Sequence, residues 1–270
     1  DFENRTTHFY GYEPGKEVIR DSIRQSYNTF SLKGGLTNTK NTAVTYSLGA
    51  GFGYLADRYD ARESQVNLDF QAAYKIDEAS KINLHADYTL FNRKDAATDA
   101  TPRNLFQVGA QYAFQPLDEL KIRAGLLVAY ENDTIDKDLH IYPVVHATYA
   151  LSPSVDAVGS LSGGMETVSL KSLSYENRWI GPDIPLFHTN KVFALEGGIN
   201  ARVGKKIMVS AGVALTSLKN WYFFINDPEN RAMFTVAYDR GVTTRSNIYG
   251  SLSFAQADKA KLMIRGDYYG

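Results

Sequence analysis

Apolar and polar residues alternate along most of the chain, and this pattern restricts the fold more than any other feature. In residues 66–76 the even positions, such as Leu68 and Phe70, are mainly apolar, whereas the odd positions, such as Asn67 and Asp69, are mainly polar. Successive side chains of a β-strand point to opposite faces, so this period predicts strands with one apolar and one polar face. Similar alternation occurs in residues 44–54, 82–90, 106–114, 120–130, 139–151, 155–165, 193–203, 207–215, 234–238, 248–254 and 262–268. No sustained helical period with caps is found.

Two folds produce such alternation, a large soluble β-structure and a transmembrane β-barrel. The alternating runs are mostly about 9 to 15 residues long, which suits tilted strands that cross a bilayer better than the shorter strands of soluble proteins. The polar face carries charged and amide side chains in mid-strand, as a wet interior would. Aromatic residues that end or nearly end the apolar faces predict a membrane girdle: Tyr54, Tyr74, Tyr88, Tyr112, Tyr130, Tyr149 and Phe254. The membrane barrel is therefore favoured.

Composition excludes several other classes of protein. The 29 basic and 30 acidic residues nearly cancel, which argues against a strongly basic nucleic-acid binder. The chain has no cysteine, so disulfide scaffolds and thiolate metal sites are excluded. No apolar run approaches the roughly 18 residues that a membrane helix needs. The first residues lack the features of a signal peptide.

The pattern predicts an all-β fold, a transmembrane antiparallel up-and-down β-barrel that forms a single domain over residues 1–270. Twelve strands are expected from about Tyr27 to Tyr269, and a weaker strand near Thr6 to Tyr12 would make thirteen. Single-chain bacterial barrels have even strand numbers. We therefore expect a domain that is incomplete at one or both ends and that has fourteen or more strands when complete.

The predicted connections are expected to alternate strictly between short and long. An outer-membrane barrel has short periplasmic turns and longer external loops. The strand from Ile207 is expected to continue as far as Phe224, and its return strand is expected to be interrupted near residues 239–241. The short connections are expected near residues 37–41, 77–80, 115–118, 152–154, 204–206 and 256–260. The long ones are expected near residues 57–63, 93–103, 131–138, 168–190 and 218–231.

Two strand-turn-strand units carry a family resemblance, the pairs formed by residues 108–114 with 120–125 and 248–254 with 261–269. They resemble the repeating units of outer-membrane barrels in Gram-negative bacteria. The tyrosine-rich style is similar to barrels of the Bacteroidota, including TonB-dependent-receptor-like ones. The resemblance covers nearly the whole chain as architecture, and it implies a location in the outer membrane. It carries no substrate signature.

The polar strand faces supply the candidate residues of a lumen. Their charges are mixed, so no anion or cation preference is predicted. Each charge could instead solvate the lumen or pair across strands. Lys121 and Arg123, which share one strand, are the best candidates for a basic strip. The lumen-facing candidates are Lys33, Asp69, Lys75, His85, Asp87, Lys121, Arg123, His140, His146, Asp156, Glu196, Arg202, Arg265 and Asp267.

Catalysis is the less favoured interpretation. His85 and Asp87 share one strand face, as do His140 and His146, but neither pair makes a nucleophilic site by itself. No Gly-x-Ser-x-Gly, His-Glu-x-x-His or phosphate-loop pattern occurs. We therefore predict no enzyme, no catalytic residue, no cofactor and no metal site.

Three segments outside the lumen remain to be interpreted. Residues 131–138 concentrate acidic side chains that could hold calcium, although a solvated loop is favoured because the spacing of known calcium loops is absent. Residues 174–187 combine aromatic residues with prolines, and they could anchor a ligand or fold back as a lid in the barrel mouth. Residues 221–224 are expected in an aromatic girdle. The external binding candidates are Tyr175, Arg178, Trp179 and Phe187.

The expected function is that of a channel or transporter barrel that passes small polar solutes across the outer membrane. The alternative is a structural or accessory barrel in an outer-membrane complex. An outer-membrane hydrolase is a third and less favoured hypothesis. Expected partners are outer-membrane lipid and lipopolysaccharide, together with other outer-membrane or surface proteins. No nucleic-acid partner is expected.

Overall fold

The computed structural model describes residues 1–10, 12, 19–40, 43–97, 99–132, 139–256 and 260–270. Within these residues the chain forms thirteen strands and one short helix. The strands are β1 (Phe2–His8), β2 (Arg24–Thr37), β3 (Val44–Asp57), β4 (Arg62–Lys75), β5 (Lys81–Lys94), β6 (Thr101–Leu117), β7 (Leu120–Glu131), β8 (Leu139–Ser152), β9 (Val155–Glu166), β10 (Thr189–Val203), β11 (Ile207–Asn226), β12 (Phe234–Gln256) and β13 (Ala260–Tyr269). The helix is α1 (Leu170–Glu176).

Each strand pairs antiparallel with the strand that follows it in the chain, so the strand order is simply β1 to β13. This confirms the all-β, up-and-down architecture predicted from the alternation. The sheet is open, with β1 and β13 at its two edges. In the described part of the chain, no helix is long and apolar enough to cross a membrane.

The expected first strand is present but lies earlier than predicted. β1 covers Phe2–His8 rather than Thr6–Tyr12, and Phe2 pairs with Phe30 of β2 while His8 pairs with Arg24. Alternation is weak in this segment, since polar residues occupy most positions. The hydrogen-bond partners offered by β2 therefore decide where the strand lies.

The connections define two ends of the barrel. Among the described residues, the turn end carries 38–40, 43, 76–80, 118–119, 153–154 and 204–206, and the loop end carries 58–61, 95–97, 99–100, 167–188 and 227–233. The expected strict alternation of short and long connections is wrong at one place. Residues 58–61 form a tight turn because the Asp57 carboxylate accepts the N–H groups of Tyr59 (2.8 Å) and Ala61 (2.9 Å).

The predicted interruption near residues 239–241 is a bulge inside one long strand. Lys219 pairs with Val242 and Trp221 pairs with Asp239, so Asn220 of β11 faces two residues of β12. Asn220 has a φ of 53°, a left-handed conformation that asparagine tolerates better than most residues. Beyond the bulge, the two strands continue together past the rest of the sheet.

The two faces of the sheet differ as the alternation predicted. The outer face leaves large apolar side chains exposed, including Leu68, Phe70 and Tyr74 of β4. Tyr88 of β5 pairs with Phe106 of β6, which pairs with Tyr130 of β7, so these three aromatic residues form one row on that face. The opposite face, here called the lumen face, holds the polar residues and, near the loop end, the buried core.

Candidate functional site

The connection between β9 and β10, residues 167–188, folds over the lumen face at the loop end. We call it the mouth loop. Its buried side chains Leu173, Ile180 and Ile184 pack with Tyr27 of β2 and Leu55 of β3 in one hydrophobic cluster. Both wall residues continue the inward-facing positions of their strands. The lumen face is therefore apolar at this level, and the mouth loop covers it.

The mouth loop contains helix α1, which the sequence analysis did not predict. Ser169 caps it, since the Ser169 hydroxyl accepts the Ser172 N–H (3.0 Å) and the Ser172 hydroxyl accepts the Ser169 N–H (3.0 Å). A helix of seven residues is too short to show a helical period. Serine in place of the usual Glu or Gln at the third helical position also hides the capping signal.

A buried carboxylate from the wall binds the start of this helix. Glu63, at the loop end of β4, is 2% exposed, and its two carboxylate oxygens accept the N–H groups of Leu170 (3.0 Å) and Lys171 (3.1 Å). The first N–H groups of a helix lack partners within the helix and carry partial positive charge, so a carboxylate there is favourable. Glu63 thus attaches the mouth loop to β4.

Two buried arginines hold the same loop from β5 and β6. Arg103 donates to the carbonyl oxygens of Val168 (2.7 Å) and Leu186 (3.4 Å), which lie near opposite ends of the loop. Arg93 donates to the carbonyl oxygen of Ile184 (2.6 Å) and forms an ion pair with Asp95, two residues further along the chain. Charged groups donate stronger hydrogen bonds than neutral ones. The loop is therefore fixed to the wall through its backbone.

Further contacts join the mouth loop to strands elsewhere in the sheet. Arg5 of β1 donates to the carbonyl oxygen and the hydroxyl of Ser174 (both 2.7 Å). The Tyr222 hydroxyl of β11 donates to Glu176 (2.6 Å). The Phe234 N–H at the start of β12 donates to a mouth-loop carbonyl at 2.9 Å. Strands from both halves of the sheet thus contact one segment, which lies across the mouth between them.

The four external binding candidates make contacts at or within the mouth loop, although Tyr175 and Arg178 stay exposed. Tyr175 contacts Glu3 through its hydroxyl and lies under the guanidinium of Arg5. Trp179 meets Tyr10 edge to face at 5.2 Å between ring centroids, and the Arg178 guanidinium lies over the Trp179 ring. Phe187 meets Tyr238 of β12 edge to face at 5.1 Å. The loop itself is folded over the mouth, and a binding role for these four residues stays a prediction.

The expected girdle at residues 221–224 is mostly wrong. Tyr222 and Phe224 pack against the mouth-loop cluster, and the Trp221 ring stacks on Tyr222 beneath the Arg245 guanidinium, so Phe223 remains as the exposed aromatic residue of this segment. The reason is the two-residue period itself, which continues beyond the bulge and sends every second aromatic side chain inward.

His188, the last residue of the mouth loop, is fully buried in this packing. Its Nδ1 atom accepts the Val168 N–H (3.1 Å), and its ring lies 5.7 Å from that of Phe91. Burial, reinforced by the nearby charge of Arg103, lowers the pKa of His188 to about 3. The imidazole is therefore neutral at physiological pH, as its role as a hydrogen-bond acceptor requires.

Acidification should loosen the mouth loop through His188. Between pH 6.5 and about 3, the packed loop binds fewer protons than an opened loop with an ordinary histidine, so the packed form loses stability as the pH falls. The loss between pH 7 and pH 5 should be about 2 kcal/mol. Hydrogen exchange of the loop amides at the two pH values measures it, after correction for the intrinsic exchange rate.

His188→Gln, which keeps an acceptor without a titrating ring, should remove most of this pH dependence. His8→Gln is the matched control, because His8 lies on β1 away from the loop's carbonyl network. A wild-type loop whose opening is independent of pH in this range would show that His188 does not control its packing.

The strand register places all fourteen lumen candidates on the face that the mouth loop covers. Ladder partners share a face, and Lys75 pairs with Lys81 while Asp69 pairs with Asp87. Several candidates are engaged with neighbours in the wall. Arg202 forms an ion pair with Asp156, Arg265 with Asp267, and Glu196 accepts the Tyr249 hydroxyl. Their part in solute passage stays a prediction.

The two histidine-containing pairs considered for catalysis lie on strands of the wall. The His85 ring lies over Gly109 of β6, where a Cβ atom would collide with it, so the glycine makes room for the imidazole. His140 bonds to Asn190 (3.3 Å) and lies 3.7 Å from the buried Glu131. No nucleophile beside a base is assembled from these groups in the described residues.

The sequence analysis missed the wall residues that matter most at the mouth, Glu63, Arg93 and Arg103. All three were assigned to long connections, because charged residues near a predicted loop are usually interpreted as exposed to solvent. The available signal was the strand period: Arg93 continues the odd-numbered inward positions of β5 that include His85. Extending the alternation past the expected strand ends would have placed it on the lumen face.

The acidic segment at residues 131–138 falls largely outside the described residues, which stop at Asn132 and resume at Leu139. Glu131 is fully buried on the lumen side at the end of β7. Among the residues that the structure describes, no three His, Cys, Asp or Glu side chains come together as possible metal ligands.

Comparison with known proteins gives structural neighbours only. No protein-family model matches the chain, and no curated protein matches its sequence. Among solved structures, the FrpB iron transporter from Neisseria meningitidis (F3-3 variant) is similar with a TM-score of 0.67 and 10% identity, covering 99% of this chain and 48% of that protein. The siderophore receptor PirA from Pseudomonas aeruginosa is similar with a TM-score of 0.63 and 9% identity, and the match covers 91% of this chain and 50% of that one.

The copper transporter OprC is similar with a TM-score of 0.57 and 9% identity, and the match covers 92% of this chain and 46% of that one. At such low identity, these matches show the fold alone. The fold is that of bacterial outer-membrane receptor and transporter barrels, as the resemblance implied. The chain spans about half the length of the solved structures it matches.

Proposed function

We propose that this chain is part of the barrel of an outer-membrane transporter, which passes small polar solutes through a lumen whose outer end is closed by the mouth loop. The observation that carries the proposal is the division of the sheet into two faces. One leaves large apolar side chains exposed from strand to strand, and the other is polar and lies beneath a packed loop. Exposed apolar surface on this scale needs lipid around it.

The transport role draws support from the neighbours, which are an iron transporter, a copper transporter and a siderophore receptor. We extend to this chain only the class, passage across the outer membrane, and we leave the solute open. Wide barrels of this kind enclose a lumen that can be plugged. We propose passage without a catalytic step.

Location and partners follow from the same arrangement. We propose that the protein lies in the bacterial outer membrane, with the outer face against lipid and lipopolysaccharide and the loop end available to other outer-membrane or surface proteins. The high tyrosine content favours a source among the Bacteroidota. We also propose that further strands of the same protein pair with the edges at β1 and β13, because exposed strand edges do not occur inside a bilayer.

A structural or accessory barrel is the second candidate. The observation that favours it is the firm packing of the mouth loop, in which Glu63, Arg93 and Arg103 each bind loop backbone atoms. A loop fixed in this way could close the lumen permanently. The two candidates differ in whether the loop opens a route through the barrel.

Conductance in planar bilayers separates these candidates. We expect the full-length protein to be closed, and a variant in which a short Gly-Ser linker replaces residues 170–186 to show stable ohmic steps. A matched variant with the same linker in place of residues 228–231, between β11 and β12, should stay closed. If the mouth-loop variant inserts into bilayers but remains silent, the loop does not control a route for solutes, and the scaffold is favoured.

A further inference from the structure

A second feature of the lumen face lies at the turn end, far along the strands from the mouth loop. A cavity of about 690 Å³ opens there along β4 to β8. Its volume falls in the usual range for sites that hold small molecules. Its charged lining residues are Lys75, Asp77, Glu78, Lys81, Lys121 and Arg123, and His146 lies beside them.

Strand register sets four of these side chains in one row. Lys75 of β4 pairs with Lys81 of β5, and Arg123 of β7 pairs with His146 of β8, with Ala113 of β6 between the two pairs. Lys121, two residues before Arg123, adds a further cation on the same face. The sequence suggested a basic strip on β7 alone. The fold extends this strip across neighbouring strands.

The cations of this row have little internal compensation, although Lys75 acts electrostatically on the nearby Asp77 carboxylate without forming an ion pair. Lys75 and Lys81 oppose each other directly, and like charges in that arrangement destabilise a sheet. Among the described residues, the side chains of Lys75, Lys81, Lys121 and Arg123 make no hydrogen bond or ion pair. All four are exposed to solvent in the cavity. A free anion is the partner that would relieve their repulsion.

The two acidic groups near the cavity do not neutralise it. Asp77 belongs to the turn between β4 and β5, where its carboxylate accepts the Ala79 N–H (2.8 Å). Glu78 is exposed in the same turn. Four permanent cations therefore face two carboxylates of the turn, and the strip remains positive.

We propose that this basic strip, formed by Lys75, Lys81, Lys121 and Arg123, binds a small, multiply charged anion that carries phosphate or carboxylate groups. Arg123 presents a planar fork of donors that suits such oxygens, and the lysines add point charges around it. The proposal deepens the transport function, on which it rests for a lumen open to solutes. Such a site would give the turn end of the lumen a preference for anions, since a run of charges of one sign selects ions in pores.

Inorganic phosphate is the probe for the first test. Titration calorimetry on the full-length protein in detergent micelles, at about 0.15 M salt to screen unspecific attraction, should detect phosphate binding. The double variant Lys121→Gln/Arg123→Gln should bind at least tenfold more weakly. Lys205→Gln/Lys206→Gln is the matched control, because it removes the same charge from the turn at residues 204–206, outside the cavity. It should bind phosphate like the wild type.

The outcomes separate the strip from the transport function. Absence of phosphate binding by the wild type, or equal weakening in both double variants, would overturn the basic strip as an anion site. If Lys121→Gln/Arg123→Gln does not fold, Lys81→Gln should still lower the affinity several-fold. If the barrel conducts but does not bind phosphate, only the proposed anion site on the basic strip is refuted. If the barrel binds phosphate but stays silent after removal of the mouth loop, only the proposed route for solutes is refuted.

Discussion

Replacing Arg103 with alanine is expected to release the mouth loop from the wall. One guanidinium binds the carbonyl oxygens of Val168 and Leu186, so a single substitution frees both ends of the loop. It also takes positive charge away from the buried Glu63, whose carboxylate lies within the electrostatic reach of Arg103. Removal of one partner from a buried charged network costs about 3–5 kcal/mol.

A loss of that size should raise the population of opened loops by roughly a hundredfold or more, since each 1.4 kcal/mol changes an equilibrium about tenfold. Hydrogen exchange of peptides from residues 168–188 measures the opening. Protease cleavage within the same segment should become faster in parallel. In planar bilayers, the variant should show brief conducting events that are absent from the wild type.

Arg103→Lys and Arg62→Ala serve as controls for this experiment. Lysine keeps the charge but cannot reach two carbonyl oxygens with a planar fork, so an intermediate effect is expected. Arg62 lies beside Glu63 but is exposed, and its loss should leave the loop in place. If Arg103→Ala exchanges no faster than Arg62→Ala, the arginine bonds do not hold the mouth loop.

The strands could be predicted because their signal is local. Each alternating run, such as the one around Leu68, indicates within a few residues which side chains lie on the outer face and which lie on the lumen face. Antiparallel neighbours joined by short connections then settle the order of the strands without any further information. The fourteen lumen candidates share one face for the same reason, because the register of each hairpin preserves the alternation.

The mouth loop could not be predicted in this way because its contacts join distant parts of the chain. Arg103 and Val168 are 65 positions apart, and Lys171 meets Ser31 across 140 positions. No period in the sequence reports such pairs. The loop's aromatic and proline content left a lid and a ligand anchor equally open, because the contacts of Phe187 with Tyr238 and of Trp179 with Tyr10 leave no trace in the local sequence.

The division into two faces makes a sharp thermodynamic prediction for a pair of substitutions in β4. Leu68 lies in mid-strand on the outer face, where it pairs with Ala50 and Tyr88 and is 46% exposed. In a lipid bilayer, Leu68→Arg should cost about 2–4 kcal/mol of unfolding free energy, the penalty for arginine near the bilayer midplane. Gln71, on the lumen face of the same strand, should accept arginine within about 0.5 kcal/mol because water surrounds it.

Urea unfolding of the full-length protein in lipid vesicles, followed by tryptophan fluorescence, measures both changes. Trp179 in the mouth loop and Trp221 on β11 report the transition. The difference between the two variants should shrink in detergent micelles, where water reaches the outer face more easily than in a bilayer. Equal destabilisation by Leu68→Arg and Gln71→Arg in vesicles would mean that the outer face does not contact lipid. That result would contradict the assignment of the outer and lumen faces, and the transport proposal with it.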